Sequence, residues 1–166
     1  MMLSGKVGLV TGGASGFGAG IVKYFVDQGA CVLILDTNEA AAEGLVRALP
    51  AGKAHFVIGD VSSEASWNQA LAVAIAKFGK LEIVVNNAGV LHGAQLATEL
   101  SEDEFDRLFR INVKSLFWST KVIVPYLVGS SSPGTFINIS STGAIRPRPN
   151  LAWYSATKGA VTTVSP

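Results

Sequence analysis

The chain has 166 residues, of which 49% are apolar and only 15% charged, against about 25% charged in an average domain. That much apolar volume and that little charge exclude disorder as the main state and assign residues 1–166 to one domain. Thirteen Lys and Arg against twelve Asp and Glu leave +1, and the absence of a basic block excludes nucleic-acid and anionic-membrane surfaces, which need clustered positive charge.

The N-terminus, Met-Met-Leu-Ser-Gly-Lys, leads into a short apolar run and glycines, which is not a secretory signal. Val7–Val10 reads as a first strand, followed by the turn Thr11-Gly-Gly-Ala-Ser-Gly-Phe-Gly18 and an apolar helix that ends before Gly29. Cys31–Leu35 reads as a second strand, and Cys31 as a packing residue. A lone cysteine excludes an intramolecular disulfide framework and a thiolate zinc site, and it suits a reducing, cytoplasmic compartment. Thr37-Asn38 ahead of Glu39 starts a helix, and His55–Ile58 forms a third strand. Trp67, Leu71, Ala74, Ile75 and Phe78 recur at helical spacing, then Ile83–Val85 gives a fourth strand. Ser101 with Glu104 three residues later is a capping-box pattern. It opens a helix carrying Phe105, Leu108, Phe109, Asn112 and Leu116 on one stripe. A loop at Gly129–Gly134, a fifth strand at Thr135–Ile139 and a last helix from near Tyr154 complete the series. Pro166 stops that helix after about three turns, because a residue before proline is pushed out of the helical region. No apolar stretch approaches the ~20 residues of a membrane span.

Continuously apolar strands are those covered on both faces. Five of them alternating with helices predict βαβ units, right-handed crossovers and a parallel α/β sheet.

In the first turn, Gly12, Gly16 and Gly18 let backbone approach a pyrophosphate, and the helix that follows directs free N–H groups at the anion. The spacing is GxxxGxG and not GxGxxG, so tight-turn packing is a competing reading that the position between first strand and first helix outweighs. Asp36 ends the second strand, where a carboxylate accepts from both ribose hydroxyls of an adenosine and repels a 2′-phosphate. No Lys or Arg lies within 11–20 or 37–42 to pair with such a phosphate, so NAD is favoured over NADP. A simple turn cap is the alternative for Asp36.

Tyr154 and Lys158 are at i and i+4 on one helix face, and an ammonium beside a phenol favours the phenolate for proton transfer near neutral pH. Ser141 follows a strand C-terminus, where parallel sheets form their ligand crevice. Asn112 is a polar residue inside an apolar stripe, so its amide must find a water or a backbone group. Each pattern alone is also compatible with surface pairing or a satisfied structural amide.

Together these residues resemble the short-chain dehydrogenase/reductase family in its TGxxxGxG branch. The matching pieces are Thr11–Gly18, Asp36, Asp60-Val61, Asn86-Asn-Ala-Gly89, Asn112, Ser141 and Tyr154 with Lys158, in family order across the whole chain. The resemblance implies a Rossmann-type doubly wound sheet of order 3-2-1-4-5. It implies Tyr154 as general acid/base, Lys158 lowering its pKa and holding the nicotinamide ribose, and Ser141 steadying the reacting oxygen. Asn112 holds a relay water in that scheme. Gly12, Ser15, Gly16, Phe17 and Gly18 bind cofactor with Asp36, Asp60 and Val61, and Asn87, Ala88 and Gly89 line it. The implied reaction is hydride transfer between nicotinamide and an alcohol or carbonyl carbon of a small molecule, without metal. Family members run to about 250 residues, so strands 6 and 7 and the substrate lid are expected to be missing. Family members form homo-oligomers through helices that include the shortened one, which weighs against that pairing here.

A truncated, non-catalytic form that binds cofactor weakly or pairs with a partner stays open beside the enzyme reading. A nucleotide-sugar epimerase is disfavoured, since those chains show TGxxGxxG. His55 reads as core or sheet edge. His92 stands near the expected pocket, but two distant histidines without an acidic cluster make no metal site. Arg146, Arg148 and Trp153 flank the pocket in a Pro-rich loop, with contact to an anionic or aromatic substrate set against ordinary loop solvation.

Overall fold

The computed structural model describes residues 1–130 and 133–164. Five strands, β1 (Val7–Thr11), β2 (Cys31–Asp36), β3 (Ala54–Ile58), β4 (Ile83–Asn86) and β5 (Thr135–Asn138), pair in parallel in the order β3-β2-β1-β4-β5. Each lies within one residue of its expected limits, and in the inner strands β1, β2 and β4 the apolar runs that define them are the residues the two flanking layers bury. In the register, Val10 stands beside Ile34 on one side and Val85 on the other.

Helices α1 (Gly16–Asp27) and α2 (Glu39–Arg47) cover one face, packing Val22, Val26 and Leu45 against Val10, Val32 and Ile34. Helices α3 (Glu64–Phe78) and α5 (Ser115–Gly129) cover the other, packing Trp67, Ala74 and Ile123 against Leu9, Leu33 and Val84. The caps follow their residue types. Asn38 accepts from the Ala41 N–H at 3.1 Å, and Ser101 accepts from the Glu104 N–H at 3.3 Å. The Glu104 carboxylate turns to Arg107 at 2.6 Å.

One expected helix is three elements. From Ser101 the chain runs through α4 (Glu102–Phe109), a π-helical segment (Arg110–Lys114) and α5, which continues past Pro125 to Gly129. Gly129 therefore belongs to α5, and Ser131 and Ser132 of the expected loop lie outside the described residues. A 3₁₀ turn (Thr142–Ala144) precedes α6 (Ala152–Thr163), which starts two residues before Tyr154. The expected stop at Ser165-Pro166 also lies outside the described residues.

β5 closes one end of the described sheet, with Thr135 and Ile137 exposed. At the entry to β1 and β4, Glu82 is buried and pairs with Lys6 at 2.7 Å and Lys80 at 2.8 Å, while accepting from the Val7 N–H at 3.3 Å. Among the described residues no helix is long and apolar enough to cross a membrane.

Candidate active site

The C-terminal ends of β1, β2, β3 and β4 open onto a cleft of about 410 Å³. Of the residues singled out in the sequence, Gly12, Ser15, Phe17, Asp36, Asp60, Val61, Asn87, Ala88 and Gly89 line it. Gly16 and Gly18 do not. They build the turn that frames it. Gly12 adopts φ +60° and Gly16 φ +51°, backbone that favours glycine. At Gly18 an added Cβ would overlap the Gly12 carbonyl and stand 2.7 Å from Asn87 Nδ2. Helix α1 springs from this turn with no side-chain cap at Ser15, so its first N–H groups and the positive dipole end remain available to an anion.

Asn87 fixes the other wall. Its Nδ2 donates to the carbonyls of Thr11 at 2.9 Å and Gly12 at 3.2 Å. Thr11 Oγ1 accepts from the N–H groups of Asn87 and Ala88, both at 3.0 Å. Asp36 is held by the Ala14 N–H at 2.9 Å and the Asn38 N–H at 3.0 Å, so it caps a turn and borders the cleft at once. Asp60 likewise accepts from the Ser62 N–H at 2.8 Å.

A second, smaller cleft of about 190 Å³ brings Ser141, Gly143, Arg148, Tyr154 and Ser155 together. The adjacent residues Val90 and Leu91 line one cleft each, so the chain leaving β4 forms the divide. Ser141 Oγ accepts from the Gly143 N–H at 3.1 Å, which anchors the 3₁₀ turn. A Cβ on Gly143 would stand 3.5 Å from Ser141 Oγ, 3.3 Å from Ser155 Oγ and 3.8 Å from Tyr154 Cε1. The glycine keeps this cleft open.

Lys158 and Asn112 line neither cleft but meet at their boundary. The point where a Cβ on Gly89 would stand is 3.3 Å from both Lys158 Nζ and Asn112 Oδ1. Lys158 is buried and donates to the Ile139 carbonyl at 2.8 Å. Burial pushes its ammonium below the ordinary lysine range. Asn112, in the π-helical segment, accepts from the Val90 N–H at 2.7 Å. Its Nδ2 donates to the Val90 carbonyl at 2.9 Å and to Thr157 Oγ1 at 3.0 Å. One amide thus ties the chain between the clefts to α6.

Thr157 and Ser155 carry no role in the sequence pattern, and Thr11 figures there only as the first residue of the glycine-rich turn. Thr157 lies three positions after Tyr154, on the ridge that also carries Lys158, and that spacing was the available signal. Trp153 turns away from both clefts, donating from Nε1 to the Ala97 carbonyl at 2.9 Å and packing edge-on against Phe105. His92 is buried, with Nδ1 2.6 Å from the Gly93 carbonyl oxygen. His55 is half-buried in edge strand β3, and Cys31 packs against the core.

A glycine-rich turn feeding a helix N-terminus, beneath the C-terminal ends of an open parallel sheet, is the architecture of the Rossmann-type α/β fold. The family model for short chain dehydrogenase matches residues 6–165, and the chain belongs to that family. It is 42% identical over 163 residues to a 4-formylbenzenesulfonate dehydrogenase of Comamonas testosteroni, covering 97% of this chain and 64% of that protein. The crystal structure of a 3-ketoacyl-(acyl-carrier-protein) reductase from Brucella melitensis complexed with NADH superposes with a TM-score of 0.93 at 43% identity, covering 98% of this chain and 68% of that one. An NAD+-bound xylitol dehydrogenase gives a TM-score of 0.91 at 26% identity, over 99% of this chain and 64% of that one. The chain therefore spans less than two thirds of the length of the first of these relatives.

Proposed function

We propose that this chain is the cofactor-binding and proton-transferring part of an NAD-dependent oxidoreductase acting on a small alcohol or carbonyl compound. The observation that carries the reading is the convergence at Gly89. Lys158 Nζ and Asn112 Oδ1 face a residue that lines the dinucleotide cleft, while Tyr154, one helical turn earlier, lines the cleft it shares with Ser141.

The cradle fits a dinucleotide. Its glycines remove the side chains that would block a close backbone approach, and uncapped helix N–H groups favour a pyrophosphate. A bound nicotinamide would supply the hydride to a carbonyl carbon or accept it from an alcohol carbon, chemistry that the protein's own side chains do not provide. Tyr154 would donate a proton to the oxygen of a carbonyl being reduced, or accept one from an alcohol being oxidised. Ser141, its hydroxyl fixed by Gly143, would hold that oxygen in place. The buried ammonium at Lys158, one helical turn after Tyr154, would be a donor for the ribose side of the cofactor. Asn112 would keep Lys158 and the Val90 backbone in register and steady a relay water. The Asp36 carboxylate at the adenosine end, with no cation in 37–42, supports NAD over NADP.

The test is an NADH titration of the chain, followed by turnover of the chain and of Y154F. We expect saturable NADH binding in both proteins and at least about a hundredfold loss of turnover in Y154F. Activity that survives Y154F would remove the acid/base assignment. NADH binding without turnover in either protein would favour a non-catalytic, cofactor-binding form.

A further inference from the structure

We propose that the substrate taken by the smaller cleft carries an oxyanion, of the carboxylate type, and that Arg148 is the residue that selects it. The inference deepens the dehydrogenase reading above and rests on it. Among the described residues, Arg148, which is exposed, is the only charged one lining that cleft. None of the described ion pairs involves it, whereas Arg47 and Arg107 each hold a glutamate at 2.6 Å. An uncompensated guanidinium at the wall of a small cleft sets its potential positive, and its planar fork matches a carboxylate in two parallel hydrogen bonds.

The arginine is also held in place by its backbone. Pro147 and Pro149 fix φ on either side of it. The Arg148 carbonyl accepts from the Leu151 N–H at 3.2 Å, and the Arg146 N–H donates to the Thr142 carbonyl at 2.8 Å. Asn150 takes the left-handed φ of 63°, and its carbonyl accepts from the Gln95 N–H at 3.1 Å. A loop pinned at three points loses little backbone freedom when it presents a side chain to a ligand.

Ser155 gives independent support for a polar ligand. It is 5% exposed and lines the same cleft, and its Oγ is buried without a hydrogen-bond partner among the described residues. Buried hydroxyls are normally bonded, and this one sits in the cleft wall, 3.3 Å from where a Cβ on Gly143 would stand.

Calorimetric titration at low salt with 4-hydroxycyclohexanecarboxylate, and with the neutral carboxamide of the same shape, tests the proposal. The acid is expected to bind about tenfold more tightly than the amide. R148Q should erase that difference, the acid losing more affinity than the amide, and R148K, a charge without the fork, should restore part of it. Equal affinity for acid and amide, no binding of either at millimolar concentration, or an acid preference that survives R148Q would each overturn it. NADH titrated into the same samples separates the two readings. Cofactor binding without acid preference removes the anion site alone, and acid preference without cofactor binding removes the dehydrogenase reading alone.

Discussion

Asp36 shows how one side chain can satisfy both a structural and a functional reading. Its two carboxylate oxygens each accept a backbone N–H, from Ala14 and Asn38. Each oxygen keeps a further lone pair for a ligand in the cleft it borders. The two roles separate by substitution. D36N drops the charge and keeps one of the two acceptors, so one of the backbone bonds remains while the repulsion of a 2′-phosphate disappears. The ratio of NADPH to NADH dissociation constants is expected to fall by about tenfold in D36N, with NADH affinity changing less than NADPH affinity. A ratio that stays at the wild-type value would leave Asp36 as a turn cap only. The glycines divide in the same way: Gly12 lines the cleft, whereas Gly18 serves close packing against Gly12. Spacing in the sequence located both but could not tell lining from packing, since that depends on which atoms the fold brings beside them.

At the scale of elements, the inner strands β1, β2 and β4 were legible to within a residue because burial on both faces demands an unbroken apolar run. The helix carrying Asn112 was legible only in part. The stripe of Phe105, Leu108, Asn112 and Leu116 persists, but no residue type marks the change to i→i+5 bonding at Arg110–Lys114. The double clamp of Asn112 on Val90 is a contact across 22 residues, which periodicity does not see. The divide between the two clefts was hidden for the same reason, since it depends on where the chain after β4 meets the 146–150 loop. Pairing between elements makes its own prediction at Glu82, which links the entries of β1 and β4. Burial acts to raise its carboxyl, but hydrogen bonds from Lys6 and Lys80 outweigh that and hold it below the usual glutamate value of 4.5. A depressed folded pKa gives stability that is present above the unfolded pKa and is lost as pH falls through the folded one. Both lysines are more than 40% exposed, which limits the pairs, so E82Q should cost about 1–2 kcal/mol at pH 7. Urea denaturation should show that gap closing as pH drops below 4.5. A gap independent of pH would assign the loss to packing instead of charge.

For the molecule as a whole, the site is placed where stability is given up. Lys158 is 6% exposed, on a chain whose other charges are mostly solvated, and burial lowers its pKa from 10.5. A lysine whose folded pKa is lowered binds fewer protons when folded than when unfolded. The penalty is therefore complete below the folded pKa and is relieved as pH rises toward the unfolded value of 10.5. K158M removes the charge and keeps the apolar stem, though it forfeits the bond to the Ile139 carbonyl at 2.8 Å. That lost bond is a constant offset of about 0.5–1.5 kcal/mol, so the sign of the difference at any one pH is not diagnostic. Its slope is. Measured by urea denaturation, wild type is expected to gain stability relative to K158M between neutral pH and 10.5. Parallel stability curves for the two proteins over that range would mean the ammonium carries no burial penalty. A convergent slope together with turnover abolished in K158M would identify the cost as one the fold bears for its chemistry, since no packing need calls for a cation at the boundary of the two clefts.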